Sequence, residues 1–194
     1  MAQTDEELII DYLRGNDQAM ELIFLKFKTQ VFNYAFRLLS NRADAEDVTA
    51  DTFLAIFAKK YLYQPEVKFV TWLYTVVRNA CIDRLRKRKR NVSLSVWDRE
   101  DNETEGGQID VVDEKAVPVE DIQENERARQ VQAAINKLPE DQREAIILRE
   151  YHSMDYQQIS QIMNCSLANI KILIFRAREN LRKELSSFIM EGNT

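Results

Sequence analysis

With 194 residues, 45% of them apolar, the chain can bury one large core or two small ones, which excludes a disordered polypeptide. Four Gly and three Pro are too few for a turn-rich β protein and favour helices. The net charge of −5 is uneven: residues 1–90 carry fifteen basic and twelve acidic groups (+3), residues 91–124 two and eleven (−9), and residues 125–194 ten and nine (+1).

Thr4 followed by Glu7 fits a capping box opening a first helix through Leu13, which Gly15-Asn16 then breaks. From Asp17 to Leu39, Met20, Ile23, Phe24, Phe27, Val31, Tyr34 and Leu38 recur at helical spacing. Ser40-Asn41-Arg42 forms a turn, and Ala43 to about Lys60 reads as a third helix with Val48, Thr52, Ala55 and Ile56 inward. Tyr61 to Val67, holding Pro65, is expected as a loop. Phe69 to about Arg90 is a fourth helix with Leu73, Val76, Ala80 and Leu85 on one face, ending in the cluster Arg84, Arg86, Lys87, Arg88, Lys89 and Arg90. Asn91 to about Glu120 holds Gly106-Gly107, Pro118 and little periodicity, so a linker is expected. Helical spacing returns from Asp121 to Leu138, Pro139 starts a helix through Tyr151, and two more follow at about Tyr156–Met163 and Leu167–Phe188. The expected fold is all-α: an N-terminal helical bundle and a C-terminal helix-turn-helix bundle joined by an acidic flexible linker.

The last two helices carry the sharpest local signal. Tyr156, Ile159 and Ile162 face inward, and small Ser160 permits a close helix crossing. Asn164-Cys165-Ser166 makes the turn, Asn tolerating a left-handed backbone and Ser166 an N-cap. The second helix buries Ile170, Ile174, Ala177 and Leu181 and leaves Asn169, Lys171, Ile172, Leu173, Arg176 and Arg178 on or beside its outer face. Such a pair can lay its second helix in the DNA major groove, where Lys171, Arg176, Arg178, Arg182 and Lys183 meet phosphates or guanine edges. The alternative is a helical hairpin with a solvated basic face.

Residues 135–185 resemble the C-terminal domain of the extracytoplasmic-function class of bacterial sigma factors, which reads the promoter −35 element. The matches are Leu138-Pro139, Gln142-Arg143-Glu144, Tyr156 with Ile159, Ile170-Lys171, and Arg176-Ala177-Arg178. The departures fall on the DNA face: Ala168-Asn169 replaces the usual Gly-Thr, and Ile172-Leu173 the usual Ser-Arg. Promoter sequence therefore does not transfer from the family, and apolar contact with thymine methyls can replace part of what the missing Arg supplies. The resemblance implies −35 contacts by Ser166, Asn169, Lys171, Ile172, Arg176 and Arg178.

DAEDVTADTF, residues 44–53, resembles the stretch by which the family grips the β′ clamp helices of RNA polymerase, implying a polymerase-binding set of Asp44, Glu46, Asp47, Asp51, Thr52 and Phe53. The residues alone leave two readings open. Acids at a helix start are tolerated by its dipole, which accounts for Asp44 and Asp47; a basic partner also accounts for Asp51. Residues 69–90 resemble the family's Trp-Leu-x-x-x-x-Arg-Asn-x-x-x-Asp-x-x-Arg signature, whose helix and preceding loop capture the unpaired −10 strand. That implies −10 contacts by Lys59, Lys60, Tyr61, Tyr63, Gln64, Lys68, Trp72, Arg78, Asn79, Arg84 and Arg86. Phe69 reads as core.

The resemblance assigns residues 1–90 to region 2, 91–124 to an acidic linker that threads the polymerase cleft, where its charge can mimic nucleic acid or serve only as a solubilising spacer, and 125–194 to region 4. It implies core RNA polymerase (β′ clamp helices and β flap), promoter DNA and an anti-sigma factor as partners. Stacking gives roughly 1–3 kcal/mol for each of two captured bases, whereas opening about ten pairs at about 1.4 kcal/mol per step costs over about 10 kcal/mol, so the free chain is expected to bind promoters weakly. No catalytic residue, metal, cofactor, small-molecule substrate or membrane insertion is expected: His152 is the one histidine, Cys81 and Cys165 lie far apart, and no phosphate-binding Gly-rich loop occurs. The N-terminus lacks signal-peptide features, so a cytoplasmic protein is expected. The rival is a helix-turn-helix regulator with an N-terminal ligand or dimerisation domain, which leaves residues 44–53 and 69–90 without a purpose.

Overall fold

The computed structural model describes residues 3–58, 63, 66–97 and 126–191, with only the helical backbone for 91–97, 126, 127 and 187–191. The chain order is α1 (Asp5–Leu13), α2 (Asp17–Leu39), α3 (Arg42–Ala58), α4 (Phe69–Trp97), α5 (Glu126–Asn136), α6 (Glu140–Glu150), α7 (Tyr156–Met163) and α8 (Leu167–Glu191), with no strand among the described residues. Most of the loop expected at 61–67 and of the linker expected at 91–124 lies outside these residues.

Local chemistry sets the helix ends. The Glu7 amide donates to Thr4 Oγ1 at 3.2 Å while the Thr4 amide donates to Glu7 Oε2 at 2.7 Å, closing the capping box. Gly15 turns the chain at φ 100°, and Asn16 caps α2 by accepting from the Gln18 amide. Ser40 ends α2 in the left-handed region at φ 52°, and the Asn41 carboxamide then accepts from the Asp44 amide to open α3.

The N-terminal unit packs α1 to α4 around Ile9, Tyr12, Ile23, Phe27, Val31, Phe69, Leu73 and Val77, all at most 2% exposed. The C-terminal unit closes on Ile135, Ile147, Leu148, Ile159, Ile170, Ile174 and Ala177. Two differences from the sequence reading share one cause. On α4 the fully inward residues are Phe69, Leu73, Tyr74, Val77 and Cys81, whereas Val76, Ala80 and Leu85 are only half-buried. On α6 five successive residues, Glu144 to Leu148, are buried, so the helix has no solvent face there. Both elements serve two interfaces, because the units are packed together: α4 lies against α7 and α2 against α6, and their apolar residues form one continuous core. The fourth helix also continues past Arg90 into the stretch expected as linker, ending at Trp97. No helix among the described residues is long and apolar enough to cross a membrane.

Candidate functional site

The helix-turn-helix is built as its residues dictate. Asp155 caps α7 with a reciprocal Gln158 bond, and Asn164 ends it at φ 50°, ψ 50°. Ser160 does more than permit a close crossing, since its hydroxyl donates to the Cys165 carbonyl at 2.6 Å and fastens the turn. Ser166 Oγ accepts from the Asn169 amide at 3.2 Å, opening α8. Ile170, Ile174 and Ala177 are buried, Leu173 and Leu181 partly so, and Asn169, Lys171, Ile172, Arg176 and Arg178 are exposed. Of the proposed DNA contacts here, Arg178 is already engaged: its Nη2 lies 2.7 Å from Glu150 Oε1.

The Gln-Arg-Glu trio turns out to hold the scaffold. Gln142 accepts from the Asn180 carboxamide on α8, Arg143 donates to the Asn136 and Leu138 carbonyls, and Glu144 faces the N-terminal unit. Burial lowers the Arg143 guanidinium below its ordinary range.

On α3 the expected polymerase-binding set divides. Glu46, Asp47 and Asp51 are exposed, but Thr52 and Phe53 belong to the core, Thr52 on the i, i+3, i+7, i+11 line Ala45, Val48, Thr52, Ile56 and Phe53 edge-on to Phe24 of α2. Asp44 is largely covered: Arg84 Nε reaches it at 2.6 Å, and the same guanidinium holds Asp47 at 2.7 Å. Thus Asp44, assigned to polymerase, and Arg84, assigned to DNA, neutralise each other. The sequence reading missed the apolar part of this surface. Leu54 is 66% and Phe57 55% exposed, and Phe24 of α2, also exposed, meets Phe53 of this helix edge-on. Exposed Leu and Phe at i, i+3 on an acidic helix were the available signal.

Of the expected −10 residues, Lys68, Asn79 and Arg86 are exposed, and Lys59, Lys60, Tyr61 and Gln64 lie outside the described residues. Tyr63 is not a surface stacker. It is 4% exposed, its hydroxyl donates to the Val67 carbonyl at 2.9 Å, and its ring meets Phe69 and Trp72 edge-on, because an aromatic ring is the largest apolar surface this end of α4 can bury. Trp72 is half-buried in that cluster, and Phe69 is fully core.

Arg78 is the main departure. Its Nε donates to Glu144 Oε1 at 2.5 Å, and the same oxygen accepts from the Tyr34 hydroxyl at 3.3 Å. Beside this pair the Tyr74 hydroxyl meets His152 Nδ1 at 2.7 Å, with Tyr34, Tyr74 and His152 rings 5.0–5.6 Å apart. The Arg37 guanidinium lies 3.6 Å from the Tyr151 ring centroid and donates to Gln132 at 3.0 Å. His152 sits in the α6–α7 connection, next to Ser153 at φ 52°. Burial and nearby Arg37 push its imidazole down to about 4, so it is neutral at pH 7. Burial raises the Glu144 carboxyl, which Arg78 pulls back, and it raises the Tyr34 hydroxyl further. These side chains form a polar latch between the units. The sequence reading did not find it, because each partner is remote from the other in the chain.

The Sigma-70 region 2 family model matches residues 23–91 and the Sigma-70 region 4 model residues 128–181. The chain is 30% identical to the ECF RNA polymerase sigma factor SigW of Bacillus subtilis, over 89% of this chain and 91% of the relative. The chain belongs to the extracytoplasmic-function sigma factors. The Pseudomonas aeruginosa RNA polymerase sigma-H factor is 29% identical over 98% of both chains. Among solved structures, the Bartonella quintana sigma factor RpoE, in complex with the anti-sigma factor NepR, superposes with a TM-score of 0.69 at 28% identity, covering 86% of this sigma factor and 96% of that chain. CnrH, in complex with the cytosolic domain of CnrY, shares the fold at TM-score 0.68 and 20% identity, over 94% and 97% of the two chains. Regions 2 and 4 place this sigma factor among transcription regulators that bind DNA and associate with RNA polymerase in initiation, and its relatives are not enzymes. Among the described residues no group of His, Cys, Asp and Glu can hold a metal.

Proposed function

We infer that this sigma factor directs promoter-specific initiation through three surfaces. The outer face of α3, with Glu46, Asp47 and Asp51 beside Leu54 and Phe57, docks on the β′ clamp helices, while the C-terminal unit contacts the β flap. The segment before α4, with Lys59, Lys60, Tyr61 and Gln64, joins Lys68, Trp72, Asn79 and Arg86 in capturing the −10 strand. Arg78 and Arg84 add to that set once their carboxylate partners release them. The outer face of α8 reads the −35 duplex through Asn169, Lys171, Ile172 and Arg176, with Ser166 at its start. Residues 1–90, 91–124 and 125–194 act as the strand-capturing unit, an acidic tether and the duplex-reading unit. An anti-sigma factor binds the chain and holds it inactive; the Bartonella relative, RpoE, forms such a complex with NepR.

The observation that carries this reading is α8: its inner face is packed on α6 and α7 while its basic outer face stands open in the geometry a groove-reading helix requires. Reconstituted transcription with core RNA polymerase and a promoter library tests it. The full chain is expected to be recovered on core polymerase and to initiate from a subset of promoters, whereas the chain alone gives no sequence-specific shift. Asp51→Lys with Leu54→Asp is expected to weaken core binding by at least about tenfold, the scale of an interface hot spot. Lys171→Ala is expected to weaken all promoters alike and lower the salt slope by about one. Failure of core polymerase to retain the chain sinks the proposal.

A further inference from the structure

The outer face of α8 is not uniformly basic. At 3.6 residues per turn, Ala168, Ile172 and Phe175 form one line, i, i+4, i+7, directly opposite the buried line Ile170, Ile174, Ala177. Phe175 is 66% and Ile172 48% exposed. The polar groups stand to either side: Lys171 and Arg178 along one flank, Asn169 and Arg176 along the other. Arg178 is turned aside to Glu150. A helix seated in a groove points its central line at base edges and its flanks at the phosphate walls.

A central line of Ala, Ile and Phe has no donor for guanine O6 or N7 and no acceptor for cytosine N4. The one apolar feature that a major groove offers is the 5-methyl of thymine. Asn169, next to that line, has the carboxamide that pairs with adenine N6 and N7. Interfaces with DNA are on average polar and positive, so two large apolar side chains at the centre of one are a specific device rather than filler.

We propose that Ile172 and Phe175 are specificity-determining residues that read thymine methyl groups in the −35 duplex, with Asn169 on a neighbouring adenine, so that this sigma factor selects A·T pairs under the first three turns of α8. The inference rests on the −35 reading proposed above and names what that surface recognises. Phe175 was absent from the residues expected to touch DNA.

Core polymerase carrying the full chain is used to select promoters from duplexes randomised upstream of the start site. The selected −35 elements are expected to hold thymine at two or more positions. Replacing each thymine with deoxyuridine removes only its methyl and is expected to weaken promoter binding about fourfold per contacted methyl. Ile172→Ala and Phe175→Ala, both surface changes, are each expected to abolish that sensitivity at one position, and Ile172→Val to retain it. Equal binding of thymine and uracil duplexes at every −35 position overturns the proposal. So does undiminished sensitivity in both alanine variants, which leaves the apolar line to a protein partner. If scrambling the whole −35 duplex changes nothing for the wild-type chain, the broader role of α8 falls as well; if scrambling matters but the methyl does not, only this inference falls.

Discussion

The two helices assigned to DNA stand in opposite states. The outer face of α8 is open, while the face of α4 bearing Tyr74 and Arg78 is covered by α6, α7 and the loop between them. The inner side of α8 is closed by elements within about one domain's length of chain, and its outer side follows from that by default. The covering of α4 depends on residues 66 to 78 positions away in sequence. An open helix face of this kind is written locally, and a covered one is written in tertiary contacts.

The largest expected effect comes from breaking the covered side. Glu144→Ala leaves Arg78 in a site with little water and no counter-charge, and is expected to cost about 4 kcal/mol in urea unfolding. Replacing both partners, Glu144→Leu with Arg78→Met, is expected to restore most of that loss. If Glu144→Ala costs under about 0.5 kcal/mol, the latch is not part of the dissolved molecule.

Next in size is a pH effect. His152 has its folded pKa lowered from 6.5 to about 4, so between those values the unfolded chain binds more protons than the folded one. Stability from this group is therefore complete above about pH 6.5 and lost as pH falls toward 4, by up to about 3 kcal/mol. Glu144, raised by burial, acts with the opposite sign above its ordinary value and partly offsets the trend. The difference between wild type and His152→Gln, followed by thermal melting from pH 7 to pH 4, isolates the histidine. A difference that does not shrink on acidification refutes it.

The smallest effect belongs to the open side. Asn164→Ala forces a β-carbon without a compensating carboxamide into the left-handed turn, and is expected to cost about 1 kcal/mol. Asn164→Gly is expected to be at least neutral. The same values in a Glu144→Ala background would show that the turn and the latch are energetically independent.

Much of this architecture was legible in the sequence. The capping box at Thr4, the Gly15-Asn16 break, Asn164 with Ser166 and the buried Ile170, Ile174 and Ala177 of α8 are local patterns and stand as read, Leu181 being only partly buried. What failed to show were long-range partners. Tyr63 looked like a stacker because its partners Phe69 and Trp72 lie beyond a loop. Arg84 looked free because Asp44 lies 40 residues away. Glu144 looked like part of a family signature, with nothing local to say that it would be sealed against Arg78 and Tyr34. On α3 the acids drew attention, while Leu54 and Phe57 lay unremarked in a helix whose apolar residues face both ways.

The latch carries a consequence for affinity. On the proposed reading, the chain must reach two promoter elements whose centres lie roughly 25 base pairs, or about 85 Å, apart along the duplex. A closed body of this size is only about 40 Å across. Tyr34, Arg78 and Tyr74 must then part from Glu144 and His152 before both elements can be engaged at once. Every kilocalorie per mole in that grip lowers the extended population about fivefold and weakens the apparent affinity for anything requiring it by the same factor. On that reading, loosening the clasp from its Glu144 and His152 side tightens simultaneous hold on both elements without altering a residue proposed to contact them.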